Sequence, residues 1–157
     1  MERSQGDPRS RPADWPHYLE AVLHFGDPVG WSIPARRFRI DAASSLAAMD
    51  FVEPFAVITA FHPYPHRLDR DENLARHARL RTELLERGLR AVPCAGSSAD
   101  GTHREDGFAI ACPHEMAVEL ACRFGQAAFY WWDGVDLWIE PATARFIRAR
   151  IGTGSAT

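Results

Sequence analysis

Two residues suited to acid–base chemistry, His103 and Glu105, follow a segment rich in glycine, serine and aspartate that begins after Cys94. Because they are two positions apart, their side chains lie on the same side of an extended chain. An imidazole next to a carboxylate can exchange protons with a substrate while the carboxylate orients the ring. We therefore predict a catalytic pair, with His103 as the acid/base and Glu105 as its orienting partner. The alternative is a structural pair that pins the loop.

Further polar residues lie where predicted strands end or begin and near the start of a predicted helix: Thr59, His62, Asn73, Arg76 and Gln126. In open α/β sheets, ligands bind at the edge formed by the carboxyl ends of the strands. We predict that these five residues bind substrate at that edge. Amide, hydroxyl and guanidinium groups suit a small polar or anionic molecule.

Metal binding is an alternative use of the same residues. His62, His103 and Glu105 carry atoms that bind zinc or iron. No standard ligand spacing is present in the sequence, so the cofactor stays unknown: none is favoured, and a zinc or iron ion at these three residues is the minority alternative. The segment 96–101 has the composition of an anion-binding loop, and it is equally typical of an ordinary turn.

The elements that must position these residues alternate between strands and helices. The apolar runs 55–61 and 89–95 have strand length, and a strong helix over 69–87 connects them. Such a connection makes the two strands parallel. The remaining predicted elements are a short helix between Asp14 and Gly26, a strand over 35–40, a helix over 42–49, a strand over 107–112, a helix from Pro113 to Gly125, and a last helix over 142–151.

The segment 127–140 predicts a β-hairpin. Asp133-Gly134 is typical of a two-residue type I′ turn, which pairs Trp132 with Val135. One face of this hairpin carries the aromatic residues Phe129, Trp131 and Trp138. We expect this face to pack in the core; if exposed, it would bind a ring or a partner protein.

Together these elements predict a single α/β (α+β) domain over 14–151, with a mixed five- to six-stranded sheet, helices packed on it and a C-terminal β-hairpin. Residues 1–13 and 152–157 are predicted to be flexible tails. Three widely spaced cysteines and the absence of an apolar leader indicate a cytoplasmic protein. The formal net charge of -3 argues against nucleic acid, no apolar run is long enough for a membrane, and a homodimer is compatible with the sequence.

Four sequence blocks carry a resemblance: VITAFHP (57–63), ENLARHARLRTELLERGLR (72–90), AGSSADGTHREDGFAI (95–110) and RFGQAAF (123–129). Their order resembles the bacterial Domain of Unknown Function 3293 family over about residues 15–140. The family pattern maps onto Thr59, Pro63, Asn73, Arg76, His103, Glu105 and the segment 123–126. His62 stands where the family commonly has Asn. The resemblance implies membership of a family without a known activity.

We therefore expect an enzyme of the hydrolase or lyase/isomerase type. It would use the His103–Glu105 pair on a polar, anionic small molecule at the carboxyl edge of the sheet. The alternative is a non-catalytic module that binds a ligand or a protein through the same pocket or through the aromatic hairpin face.

Overall fold

A computed structural model describes residues 15–26, 30–35, 54–142 and 149–151. The elements in these ranges are α1 Trp15–Glu20, β1 Val22–Phe25, β2 Trp31–Pro34, β3 Phe55–Thr59, α2 Arg70–Glu86, β4 Arg90–Ser97, β5 Arg104–Glu105, β6 Gly107–Ala111, α3 His114–Arg123, β7 Ala128–Trp132, β8 Leu137–Pro141 and β9 Ala149–Arg150. The predicted α/β (α+β) class is confirmed. None of the helices in the described ranges is long and apolar enough to span a membrane.

The described strands form one curled nine-stranded sheet in the order β2-β1-β4-β6-β3-β7-β8-β9, with β5 beside β4. β3 and β4 are both antiparallel to β6, so they run parallel to each other as predicted. They are not neighbours, because β6 returns from β4 and inserts between them. The described sheet is therefore larger than the five or six strands predicted, and its neighbouring strands pair antiparallel instead of in a mixed pattern.

Each face of the sheet has its own apolar core. On one face, residues such as Phe25, Phe55 and Trp132 pack together, and α1 covers them with partly buried side chains. The other face packs under α2 and α3. Phe129 and Trp131 belong to this second core and are only 2% and 6% exposed. The aromatic face of the hairpin is therefore core, as expected, and does not form an exposed platform.

Helix α2 begins at a capping box, which explains why its start was predicted accurately. The Asp69 side chain accepts the N–H of Glu72 at 2.8 Å, and the Glu72 side chain accepts the N–H of Asp69 at 3.1 Å. The helix ends before Gly88, whose φ of 64° is left-handed. Its first turn therefore lies next to the loop that leaves β3, which carries His62.

Two predicted helices are wrong at one end. α1 ends at Glu20 and not before Gly26, because Leu23 and Phe25 alternate inward and their strand pairs with β4. At the other end of the chain, Ala149–Arg150 forms a strand beside β8 in place of the end of a helix. In both cases pairing with another strand, β4 for β1 and β8 for β9, overrides local propensity.

Several predictions fall on parts of the chain that the structure does not describe. These are most of the strand predicted over 35–40, the helix over 42–49, the middle of the last helix and both tails. The nearest described strand to the first of these is β2, which ends at Pro34.

The C-terminal hairpin has a wider turn than predicted. Trp132 pairs with Leu137 and not with Val135. The Asp133 carboxylate accepts the N–H groups of Val135 at 2.8 Å and Asp136 at 2.7 Å, which stabilises the longer turn. The pairing shifts by two residues, so each side chain stays on its predicted face.

Candidate functional site

The segment that carries His103 and Glu105 is the tip of a long hairpin. β4 pairs with β5 and β6 in one continuous register, and Ser98 N–H extends it by donating to the His103 carbonyl at 2.8 Å. The strands therefore reach further into the predicted loop 96–106 than the sequence indicated. Only residues 99–102 turn.

This turn is stabilised from within. The Asp100 carboxylate accepts the Ser98 hydroxyl at 2.7 Å, the Thr102 N–H at 3.0 Å and the Thr102 hydroxyl at 2.8 Å. These hydrogen bonds lower the pKa of Asp100 to about 2. An internal carboxylate occupies these donors, so they are not available to an external anion.

His103 and Glu105 lie side by side on the hairpin, with His103 Nε2 and Glu105 Oε1 3.4 Å apart. The two side chains are 46% and 29% exposed, so solvent reaches both. Glu105 is paired with Gly96 on β4, and the absence of a side chain on Gly96 leaves space beside the carboxylate. The two side chains therefore lie on the same side of the strand, as their spacing of two residues predicts.

His62 approaches the pair from the loop after β3. Its φ of 44° lies in the left-handed region, which Asn and His adopt more readily than most residues. This backbone conformation is therefore compatible with either Asn or His at the position. The His62 N–H donates to Asn73 Oδ1 at 2.8 Å, and its Nδ1 accepts the Leu68 N–H at 3.0 Å.

The ring nitrogens of His62 have distinct environments. The Asn73 amide nitrogen is 3.4 Å from both of them and also donates to the Leu68 carbonyl at 3.2 Å. We regard the Leu68 bond to Nδ1 as the true ring hydrogen bond, because the amide lies equally far from both nitrogens. Burial lowers the pKa of His62 below its ordinary value, and the charges of Arg67 and His103 lower it further.

The structure brings His62, His103 and Glu105 to one point. One potential ligand atom from each lies within 4.8 Å of the others. The rings of His62 and His103 are stacked at 25°, with their centroids 6.0 Å apart. Two segments that are distant in the sequence, the loop after β3 and the hairpin tip, contribute to this centre, and the β3–α2–β4 connection brings them together.

His62, His103 and Glu105 line a cleft of about 860 Å³ beside the hairpin tip. Clefts of this size hold small-molecule ligands. Four of the seven histidines of the chain line it, namely His17, His62, His66 and His103, and Arg67 adds a guanidinium. Gln126, predicted to bind substrate, also lines the cleft.

Gln126 is 7% exposed, and its Nε2 donates to the Phe61 carbonyl at 2.9 Å. This bond joins the start of β7 to the loop that carries His62. The side chain therefore both lines the cleft and fixes its wall.

The other three predicted substrate-binding residues hold the backbone around the cleft. Thr59 Oγ1 donates to the Asp106 carbonyl at 2.7 Å and accepts the Phe61 N–H at 3.0 Å. Arg76 Nε donates to the Ala60 carbonyl at 2.7 Å, and its Nη2 donates to the Phe124 carbonyl.

Asn73, the third of these residues, is 3% exposed and binds the His62 loop. Thr59, Asn73 and Arg76 are absent from the cleft lining. Their hydrogen bonds hold the backbone around the cleft, and their contact with substrate stays a prediction.

Helix α1 contributes cleft residues that the sequence did not predict. His17, Tyr18 and Glu20 line the cleft, as does Tyr130 of β7. The Tyr130 hydroxyl donates to the Tyr18 carbonyl, which fastens α1 over the sheet, and burial raises the pKa of Tyr130. No sequence spacing relates α1 to the hairpin tip. The aromatic and histidine residues within 15–20 were the only sequence feature that indicated a contribution of α1 to the cleft.

Comparison with known proteins gives one family and no established activity. Residues 58–129 match the family described as "Protein of unknown function (DUF3293)". The match supports the resemblance predicted from the sequence blocks, over a shorter range than the 15–140 expected. All seven predicted site residues lie within the matched segment. No curated protein and no solved structure matches the chain.

Proposed function

We propose that this protein is an enzyme that performs proton-transfer chemistry on a small polar, anionic molecule bound in the cleft. His103 exchanges the proton, and Glu105 orients its ring. The reaction belongs to the hydrolase or lyase/isomerase type. Gln126 and the loop that carries His62 form the wall against which the substrate lies.

The observation that carries this proposal is the convergence of His62, His103 and Glu105 on the wall of the cleft. Acid–base catalysis requires a titratable side chain within reach of a bound substrate and a second group that orients it. The solvent-exposed side of His103 and the 3.4 Å distance to Glu105 meet both requirements.

A purely structural role explains the pair less well. The hairpin tip is stabilised by the backbone bond between Ser98 and His103 and by the hydrogen bonds to Asp100, and neither uses the His103 ring. Half-exposed imidazole and carboxylate groups contribute little to stability in such a position. The His103 ring is therefore not required to hold the hairpin tip, which supports a chemical role for it.

The guanidinium of Arg67 supports an anionic substrate, and it lies on a cleft lining that also carries the carboxylates of Glu20, Asp100 and Glu105. The histidines His17 and His66 lie on the same lining. Among the acidic lining residues, Asp100 is already engaged by the turn. A guanidinium next to imidazoles favours a carboxylate or phosphate group.

The second candidate is a non-catalytic binding module that uses the same cleft. It predicts saturable ligand binding without any chemical change. The cleft volume and its polar lining suit this function as well, so the two candidates are separated by the fate of the ligand.

The test is an incubation of the purified protein with a defined mixture of mono- and dicarboxylates, sugar phosphates and nucleotides, followed by mass spectrometry over time. We expect at least one anionic compound to be consumed, with a product that is isomeric or differs by one water. A compound that is retained by the protein and recovered unchanged would support the binding module. A mixture that stays unchanged, with nothing retained, would contradict both functions.

A further inference from the structure

We propose that His62, His103 and Glu105 bind one zinc-type divalent metal ion in the cleft. This inference rests on the proposed function, because it assigns the same centre. One donor atom from each residue lies within 4.8 Å of the others. Two atoms that bind one zinc ion tetrahedrally lie about 3.4 Å apart. His103 Nε2 and Glu105 Oε1 are separated by that distance, 3.4 Å.

The donor set selects the class of metal. Two imidazole nitrogens and one carboxylate oxygen suit Zn²⁺ or Fe²⁺, whereas Mg²⁺ and Ca²⁺ prefer oxygen ligands. Three protein ligands leave at least one coordination position open, which is typical of catalytic and not of structural zinc sites. The exposed sides of His103 and Glu105 face solvent, so the ion has an entry path.

The three side chains differ in how closely their present geometry suits a shared metal ion. His103 and Glu105 already have the separation that a shared ion requires. His62 Nδ1 accepts the Leu68 N–H at 3.0 Å, so a neutral ring carries its proton on Nε2. Whichever nitrogen binds the ion, the Leu68 bond must be given up. Metal binding therefore has a local signature, the release of the Leu68 amide.

The chain contains a matched pair that lacks the third ligand. His114 Nε2 and Glu140 Oε2 are 3.3 Å apart, and His114 is 45% exposed, close to the 46% of His103. Within the described residues, the only group of three such donors is the one formed by His62, His103 and Glu105. A His114→Ala variant thus removes a histidine of matched exposure without touching the proposed centre, and its carboxylate partner Glu140 is more buried than Glu105, with 6% against 29% of the side chain exposed.

With an ion bound, His103 and Glu105 would hold it, and a water on the open position would take over the proton transfer that the proposed function assigns to His103. Metal coordination lowers the pKa of such a water toward neutrality. The ion also attracts the anionic group of a substrate. The reaction class proposed above is unchanged, and only the identity of the acid/base differs.

The experiment uses the full chain without a polyhistidine tag, stripped with EDTA, dialysed, and titrated with Zn²⁺ by calorimetry and with Co²⁺ by visible absorption. We expect one ion per chain and the intense absorption bands of tetrahedral cobalt. His62→Asn, His103→Ala and Glu105→Gln should each weaken binding at least tenfold, while His114→Ala binds normally. In an NMR titration with Zn²⁺, the Leu68 amide should shift and exchange faster with solvent.

Three results would overturn the metal site: no saturable binding below millimolar Zn²⁺, unchanged binding in His62→Asn, or equal losses in His103→Ala and His114→Ala. Circular dichroism of each variant verifies that the loss is not one of folding. The proposed function has a separate outcome. Turnover that requires His103 but survives EDTA would refute the metal and leave the proton-transfer function intact.

Discussion

His103→Ala is expected to slow the reaction by about 10²–10⁴-fold, the usual contribution of a general acid or base. The melting temperature should stay within about 2 °C of that of the parent protein, because the lost ring is half exposed. The main-chain bonds of the hairpin tip do not involve the ring. The measurement is the initial rate on the substrate found in the mixture, together with thermal unfolding.

His114→Ala is the matched control for this experiment. His114 has the same kind of carboxylate partner and almost the same exposure, but it packs against Phe129 and Trp131 and is absent from the cleft lining. Its removal should leave the rate unchanged. Equal rates for the two variants would show that His103 is not catalytic, and unfolding of His103→Ala would show that it has a structural role.

Gly107→Ala is expected to destabilise the protein by roughly 3 kcal/mol or more, at the upper end of overpacking effects. A Cβ at this position would lie 2.4 Å from the Ile58 carbonyl oxygen and 3.2 Å from the Cys94 carbonyl oxygen. Both atoms are backbone atoms of strands that flank β6, so they cannot move aside without breaking the ladder. Urea unfolding measures the loss, and poor soluble expression is its severe form.

Gly96→Ala provides the contrast. A Cβ at Gly96 would meet nothing within 4 Å, and its backbone is in an ordinary strand of the same hairpin. This change should alter the free energy of unfolding by less than about 1 kcal/mol. If the two alanine variants unfold at the same urea concentration, the close packing of β6 between β3 and β4 is wrong.

The sequence predicted the elements whose signals are local. Helix α2 has a capping box at Asp69 and a terminating Gly88, and β3 is a continuous apolar run, so both were placed within two residues. β1 and β9 were missed because they are only 4 and 2 residues long, too short to give a clear local strand signal. Short strands of this kind are specified by the sheet that receives them.

For the candidate site, too, some features could be predicted from local sequence signals and others could not. The shared face of His103 and Glu105 follows from a period of two, and the arrival of His62 follows from the β3–α2–β4 connection. The partners of Thr59, Asn73 and Arg76 did not follow, because their hydrogen bonds go mainly to backbone groups exposed by loop geometry. A sequence shows that a polar residue lies near a site, but not whether it binds a substrate or a carbonyl group.

The two hairpin turns were predicted less accurately than helix α2 and strand β3, and the reason is physical. Asp133-Gly134 has the composition of a two-residue turn, yet the Asp133 carboxylate accepts two backbone N–H groups and stabilises a wider one. Similarly, Asp100 tightens the tip of the long hairpin. In both turns one aspartate side chain decides the geometry through bonds that composition alone does not distinguish.

The central claim is that His62 and His103 act at one centre, and a double-mutant cycle on the reaction rate tests it most directly. His62→Asn suits the left-handed backbone at that position, and His103→Ala removes the proposed acid/base. If the two residues act as a unit, the double variant should be within about threefold of His103→Ala alone. A rate that falls by the product of the two single effects would show that the residues act independently, and it would contradict this account.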